Sequence, residues 1–316
     1  MENIFSVGIF SVIPGAKKQG WLPVIGSEER LPVTLINGSK PGKTAVITAG
    51  THGGEYPGIE AAIRLAAMLD PAEVSGRIAI VHCLNQASFF AKTQYYNPID
   101  GVNLNRVFPG RPLGSHTERL AYTISSQFFS QADIFLDLHS GDIHENLTDF
   151  VIYPKIGSSE QIAVSKEMAS LLGVPYVVGS LSETGSIGSA AKIGVSGILG
   201  EIGCLGRWTE EQVERYIHGV SNILRYAGIL AGEVVRQDCT YMQRMVGVNV
   251  PQSGIWHPLV EPGQSVYAGQ ELGEIVDLFG KTTEKISSPS DGIMLYVISS
   301  LAVTQGEALL AVGEPE

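Results

Sequence analysis

The feature that most constrains the fold is an alternation of short apolar runs with helical segments. Runs rich in Val, Ile, Ala and Leu, bounded by turn residues, predict buried strands. These runs are Thr44–Ala49, Arg77–Cys83, Ile134–Leu138 and Ser196–Gly200. Helical patterns span Glu55–Leu69, Thr117–Phe129, Ser158–Leu172 and Thr209–Leu230, the second behind a capping box formed by Ser115 and Glu118. We therefore predict an α/β domain with a mixed, mostly parallel sheet flanked by helices.

The pattern changes beyond about residue 235. Residues 247–313 carry no convincing amphipathic helix, but short β-type runs between turns such as EPGQ and SPSDG. We predict two domains, an α/β domain over residues 1–235 and a small all-β module over residues 236–316. The module resembles a lipoyl/biotinyl-type β sandwich. Lys281 lies near the position of a lipoyl lysine, but its FGKTT context is a poor match, so we predict a non-lipoylated cap or assembly module.

Composition excludes several classes of protein. The chain has 316 residues, with Lys+Arg 21 against Asp+Glu 32 and a formal net charge of −11. This balance argues against nucleic acid and anionic membranes, which reward clustered cations. There is no apolar run of ~18 residues and no basic segment followed by an apolar run at the start, so we expect a cytoplasmic protein without membrane contact. The three cysteines are scattered and predict neither disulfides nor a thiolate metal site.

Two predicted strands run directly into metal-ligand motifs. The first is followed by GTHGGE, which places His52 and Glu55 three residues apart; the second ends in DLHSG, which contains His139. Open α/β sheets bind ligands at the carboxyl ends of their strands. Two His and one Glu with an open fourth position form the ligand set of a catalytic zinc site, although HxxE alone also fits a capped helix start. Asp137 either accepts a hydrogen bond from His139 or caps nearby backbone.

The sequence also resembles a known family. GTHGGE, NLNRVFPG, DLHSG and GEIG occur in this order, as in the succinylglutamate desuccinylase/aspartoacylase family of the zinc carboxypeptidase superfamily. The resemblance covers residues 43–207 and extends to the β module. It implies a zinc-carboxypeptidase-like fold and one Zn²⁺ per chain held by His52, Glu55 and His139. It also implies that Glu201, which directly follows a predicted strand, is the catalytic carboxylate.

The resemblance assigns the NLNR segment to substrate binding. It implies that Asn105 and Arg106 grip a substrate carboxylate, and a planar guanidinium suits this role because it offers two parallel donors. The chain departs from the family at one point. Some relatives carry a further arginine upstream that polarises the scissile carbonyl, but the segment Lys92–Pro98 contains none. Either Lys92 replaces it or another group stabilises the oxyanion.

These motifs predict a zinc amidohydrolase that deacylates a small N-acyl amino acid or N-acyl diamino acid, with Glu201 as general base and acid. The alternatives are a metallocarboxypeptidase acting on peptides and a binding or scaffold protein with a non-catalytic metal site. We expect a small-molecule partner and allow for a homo-oligomer. Basic or diamino substrates are favoured over acidic ones because the loops near the motifs carry Asp142, Glu145, Asp149 and Glu183.

Overall fold

The computed structural model describes residues 3–316, which form nineteen strands and six α-helices. The strands β1 to β19 are, in chain order, Phe5–Val7, Phe10–Val12, Ala16–Pro23, Arg30–Asn37, Lys40–Ala49, Ser75–Val81, Ile134–His139, Glu145–Leu147, Phe150–Pro154, Tyr176–Ser180, Ser196–Glu201, Thr240–Asn249, Gly254–Pro258, Ser265–Val266, Glu271–Val276, Thr282–Ser287, Gly292–Ile298, Ala302–Val303 and Ala308–Pro315. The helices α1 to α6 are Tyr56–Met68, Gln86–Ala91, His116–Gln127, Ser159–Ser170, Gly185–Lys192 and Glu210–Tyr226. Every predicted strand and helix is present within a few residues of its expected bounds, and the capping box at α3 is confirmed.

A large mixed sheet organises the molecule. Its strand order is β3-β4-β6-β5-β7-β11-β9-β10-β12-β19-β17-β14, and β8 pairs with β17. From β6 to β12 the neighbours are parallel except for the pair β11–β9, whereas the outer strands are antiparallel. The mixed sheet is thus confirmed, but "mostly parallel" describes only its centre. The antiparallel flanks are formed by β3, β4 and β6 on one side and by β12, β19, β17 and β14 on the other.

Helices cover both faces of the sheet centre. Successive side chains of a strand point to opposite faces. Ile47 of β5 and Leu136 of β7 therefore pack in one core with α1, α4 and α6. Their neighbours Val46 and Phe135 pack in a second core with α3 and α5. Because both faces of the sheet are buried, the central strands consist of continuous apolar runs. Polar side chains are accessible mainly at the ends of these strands.

The carboxyl-terminal part contains strands and turns only, as its turn-rich sequence predicted. A second, four-stranded sheet, β16-β15-β13-β18, packs over β17 and β19 around a core that includes Trp256, Leu272 and Leu310. The first strand of this part, β12, pairs in parallel with β10, with Tyr176 opposite Thr240. The module therefore continues the central sheet, and β17 also pairs with β8 next to the end of β7. No helix within residues 3–316 is long and apolar enough to cross a membrane.

Candidate metal centre and its surroundings

The turn between β5 and α1 has almost no room for side chains. A Cβ on Gly53 would lie 2.1 Å from the backbone nitrogen of Phe89, and one on Gly54 would lie 2.3 Å from Asp142 Oδ1. Glu55 follows as the N-cap residue of α1, yet its side chain makes no capping hydrogen bond. The two glycines therefore let the chain turn tightly, and the Glu55 carboxylate is left free to face the end of the sheet.

His52, Glu55 and His139 meet at that end. His52 Nδ1 lies 2.6 Å from Glu55 Oε1, and His139 Nδ1 lies 2.8 Å from Glu55 Oε2. Each residue offers one ligand atom, and these three atoms lie within 4.8 Å of one another. The three residues are only 7%, 2% and 1% exposed, respectively. The structure thus brings together the three ligands that the motifs predicted.

The outer nitrogens of both rings face oxygen acceptors. His139 Nε2 lies 3.0 Å from Asp137 Oδ2, and His52 Nε2 lies 3.1 Å from Asn103 Oδ1. The Asn103 amide is oriented with its oxygen towards His52, because the same oxygen accepts the backbone N–H of Asn105 at 2.9 Å. Each Nε2 therefore donates its proton outwards, and each Nδ1 faces Glu55.

Each contact between an Nδ1 atom and the buried Glu55 carboxylate needs a proton or a metal ion between its two atoms. Burial alone disfavours the charged form of His139, but Glu55 and Asp137 outweigh it and raise the pKa of His139 well above its usual value. Both oxygens of the buried Glu55 carboxylate thus face an imidazole nitrogen. A set of two imidazole nitrogens and a carboxylate, each imidazole held by an outer acceptor, fits a divalent cation such as Zn²⁺.

Asp137 is fully buried and contacts side chains rather than a neighbouring backbone. Besides His139 it accepts hydrogen bonds from Thr48 Oγ1 at 2.7 Å, Thr51 Oγ1 at 3.2 Å and the Ser186 hydroxyl. Burial would raise the pKa of Asp137, but His139 and these hydroxyls outweigh burial and lower the pKa. Asp137 is therefore ionised and orients His139, the first of the two roles considered from the sequence.

Glu201 lies beside the ligands. It is the last residue of β11 and is directly opposite His139 of β7 in the parallel register. Its Oε2 is buried without a hydrogen-bond partner in the described chain. Burial raises the pKa of Glu201 well above its usual value; His139 opposes this shift, while the Glu55 and Glu145 charges add to it. A carboxyl group with a raised pKa is suited to accept and release a proton during catalysis.

Comparison with known proteins agrees with this geometry. The model of the succinylglutamate desuccinylase/aspartoacylase catalytic domain matches residues 41–227, more than half of the chain. The chain belongs to this family. The predicted resemblance is thereby confirmed, and the matched region contains β5, β7 and β11, whose ends carry the ligands and Glu201.

Full-length relatives share the same fold. An N-alpha-acetyl-L-2,4-diaminobutyric acid deacetylase from Halomonas elongata is 28% identical over 298 residues, covering 90% of this chain and 85% of its own. The product-bound structure of the ectoine utilization protein EutE (DoeB) from Ruegeria pomeroyi is 26% identical, with a TM-score of 0.84 and coverage of 94% and 95%. An aspartoacylase family protein from Mesorhizobium loti is 28% identical, with a TM-score of 0.77 and coverage of 95% of each chain.

The two residues expected to bind substrate lie on a short 3-10 helix, Leu104–Arg106. Asn105 Oδ1 accepts the backbone N–H of Ser186 at 2.9 Å and so holds the start of α5. Its Nδ2 makes no hydrogen bond within residues 3–316. The Arg106 side chain is exposed and has no ion-pair partner in the same range. Both residues therefore retain donors for a ligand.

The segment that lacks the upstream arginine places Tyr95 beside His52. The backbone N–H of Tyr95 donates to Asp142 Oδ2 at 2.7 Å and holds the residue at a φ of 53°. The ring meets the His52 ring edge-on at 5.7 Å between centroids, and the hydroxyl lies 3.4 Å from Glu145 Oε2. Lys92, the predicted substitute, is exposed at the end of α2. Sequence reasoning missed Tyr95 because its segment carries no motif.

A second missed residue comes from the carboxyl-terminal part. Tyr296 lies on β17, opposite Leu147 of β8. Burial raises the pKa of Tyr296; the charge of Glu145 adds to the shift, Arg106 opposes it, and Glu201 adds to it again. Its phenol therefore lies within electrostatic range of the candidate site. No sequence signal connected residue 296 with the motifs, since the contact depends on the pairing of β17 with β8.

Proposed function

We propose that this chain is a zinc-dependent hydrolase that cleaves the amide bond of a small N-acyl amino acid or N-acyl diamino acid. The observation that carries the proposal is the convergence of the two Nδ1 atoms on the Glu55 carboxylate, beside the buried, unpartnered oxygen of Glu201. The name of the Halomonas elongata relative supports an acetylated diamino acid as substrate. We also propose that the site lies on a zinc-carboxypeptidase-like domain within residues 1–235, adjoined by the module of residues 236–316.

In this proposal His52, Glu55 and His139 hold the metal. When bound, Zn²⁺ acts as a Lewis acid and lowers the pKa of water towards ~7. Glu201 takes the proton of the attacking water at Oε2, and the same carboxyl group later passes it to the leaving amine. Burial favours this cycle, because the raised pKa of Glu201 makes the proton easy to hold between the two transfers.

Substrate binding is assigned to the NLNR segment. Arg106 offers two parallel donors to the carboxylate of the amino acid, and Asn105 adds its free Nδ2. Because Asn105 Oδ1 is already fixed by the N–H of Ser186, the amide is oriented before substrate arrives. Orientation of this kind reduces the entropy lost on binding.

Substitution of Glu201 tests the proposed chemistry. Glu201→Gln keeps the shape of the side chain but removes the proton acceptor. We expect it to retain one zinc per chain and to lose turnover of N-acetyl-2,4-diaminobutyrate by about 10²- to 10⁴-fold, the range for a positioned acid–base group. Glu183→Gln, which changes an exposed glutamate paired with Lys192, is the matched control and should behave like the unsubstituted protein.

The same preparations separate the alternatives. A metallocarboxypeptidase would cleave dipeptides or longer peptides faster than N-acetyl amino acids. A binding or scaffold protein would bind metal and hydrolyse neither. Full turnover by Glu201→Gln would refute the role assigned to Glu201.

A further inference from the structure

Glu145 is an acidic residue near the site. Within the described residues it pairs with no cation, and both of its hydrogen bonds are long. Its Oε2 lies 3.3 Å from the backbone nitrogen of Asp142 and 3.4 Å from the Tyr95 hydroxyl. Its Oε1 has no hydrogen-bond partner within residues 3–316. Glu145 is half-buried, and a carboxylate with a free oxygen and no cationic partner is suited to bind a positively charged group.

The other acidic residues of the neighbouring loops already have partners. Both Asp142 oxygens accept backbone N–H groups, from Tyr95 at 2.7 Å and Ile143 at 2.6 Å. Asp149 accepts the N–H of Gly203 at 3.0 Å and pairs with Arg215, and Glu183 is exposed and pairs with Lys192 at 3.0 Å. Of the four acidic residues that favoured basic substrates in the sequence, Glu145 alone has neither a cationic partner nor hydrogen bonds to both oxygens among the described residues.

The position of Glu145 is rigid and close to the chemistry. It begins β8, where it pairs with Ile298 of β17, and its carbonyl oxygen accepts the backbone N–H of Leu205 at 3.1 Å, so its backbone is fixed. Burial raises the pKa of Glu145 to about 7, and the negative charges of Glu55 and Asp142 add to this shift. The charge of Glu145 in turn acts on Glu201. A cation bound at Glu145 would thus share the pocket with the acyl group that Glu201 attacks through water.

We propose that Glu145 binds the side-chain ammonium of an N-acyl diamino acid and so selects cationic over neutral substrates. The inference rests on the proposed deacylase function and names the charge of its substrate. Arg106 and Glu145 then bind opposite charges of one small molecule, the carboxylate at the first residue and the ammonium at the second. Tyr95, whose hydroxyl faces Glu145 Oε2, leaves Oε1 to the ligand.

A pair of isosteric substrates tests this role. N-acetyl-2,4-diaminobutyrate carries a terminal ammonium, and N-acetylnorvaline carries a methyl group in its place. We expect Glu145→Gln to lower kcat/KM for the cationic substrate by about 10- to 100-fold, the range for a hydrogen bond to a charged group. The loss for the neutral substrate should be less than about threefold. Zinc content should stay at one per chain, and Glu183→Gln should change neither value.

The outcomes distinguish the inference from the function on which it rests. Equal losses on both substrates, or no loss on either, would overturn the role of Glu145 and leave the deacylase proposal standing. An unsubstituted, zinc-loaded protein that hydrolyses neither substrate would overturn both. If Glu145→Gln does not fold, the unsubstituted protein and Glu145→Asp decide: both keep the charge and should prefer the cationic substrate by at least about tenfold, and an absent preference would contradict the inference.

Discussion

His139 Nε2 lies 3.0 Å from Asp137 Oδ2, two residues earlier on the same strand. This contact sets the tautomer of His139 and turns its Nδ1 towards Glu55. Period-two geometry of β7 makes the arrangement possible, since residues two apart share a face of the strand. The proposed metal centre therefore depends on a buried aspartate that is not among the proposed ligands.

Asp137→Asn should weaken zinc binding. A neutral amide is a poorer acceptor for the imidazole N–H, so we expect the zinc affinity to fall by about 10- to 100-fold. Competition with a chromogenic chelator measures the change. Ser186→Ala removes one hydroxyl from the same carboxylate but leaves its charge, and its affinity should fall much less. Equal effects of the two substitutions would contradict the role given to Asp137.

Gly54→Ala should also disturb the metal centre. The added Cβ would lie 2.3 Å from Asp142 Oδ1, so the turn that carries His52 and Glu55 must shift. We expect less than one zinc per chain after dialysis and a lower melting temperature. Gly247→Ala on β12 is the control, because a Cβ there meets no atom within 4 Å. Full zinc occupancy in Gly54→Ala would show that the turn adapts.

Tyr216→Phe should lower stability and activity together. The Tyr216 hydroxyl donates to the carbonyl oxygens of His139 and Gly200, and so ties the ends of β7 and β11 to α6. Loss of this donor leaves buried acceptors unpaired, at a cost of about 1–3 kcal/mol in the free energy of unfolding. Urea denaturation measures it, with the exposed Tyr267→Phe as control. An unchanged unfolding midpoint would contradict this view of Tyr216.

Stability should depend on pH through His116 and Glu29. His116 Nε2 lies 2.7 Å from Glu29 Oε2, and this contact raises the pKa of His116 above its ordinary value of 6.5 despite partial burial. A group whose pKa is raised on folding stabilises the protein fully below its unfolded pKa and progressively less as pH rises through the folded pKa. The free energy of unfolding should therefore fall above pH 6.5, relative to His116→Gln.

Urea denaturation across pH, at constant zinc, measures that difference. His218→Gln, which changes an exposed histidine on α6, serves as control and should keep the pH dependence of the unsubstituted protein. A His116→Gln variant with the same pH dependence as the unsubstituted protein would show that the pair contributes nothing.

The convergence of the three proposed ligands was predictable because each is encoded locally. An apolar run that is followed directly by His52-x-x-Glu55, or by His139, predicts a strand and also predicts which side chain lies at its carboxyl end. Helix α5 was missed for the opposite reason. Its sequence, GSIGSAAK, is rich in glycine and serine, and its first N–H groups depend on Asn105, 81 residues away. Contacts over such distances leave no periodic pattern in the sequence.

The remainder of the site depends on tertiary pairing. Tyr95 and Glu145 are 50 residues apart and meet only because Asp142 holds the backbone of Tyr95. The pairing of β10 with β12 and of β8 with β17 joins the carboxyl-terminal strands to the sheet and brings Tyr296 towards the pocket. The turn composition of the carboxyl-terminal part predicted that it contains strands only. It did not predict which strands of the central sheet would pair with them.

Zinc add-back to metal-free protein tests the central claim most directly. The chain is stripped with a chelator, and hydrolysis of N-acetyl-2,4-diaminobutyrate is followed while zinc is returned in fractions of an equivalent. We expect no turnover without metal, and a linear recovery that ends at one zinc per chain. Turnover that persists in the metal-free protein, or that does not respond to added zinc, would contradict a zinc-dependent site at His52, Glu55 and His139.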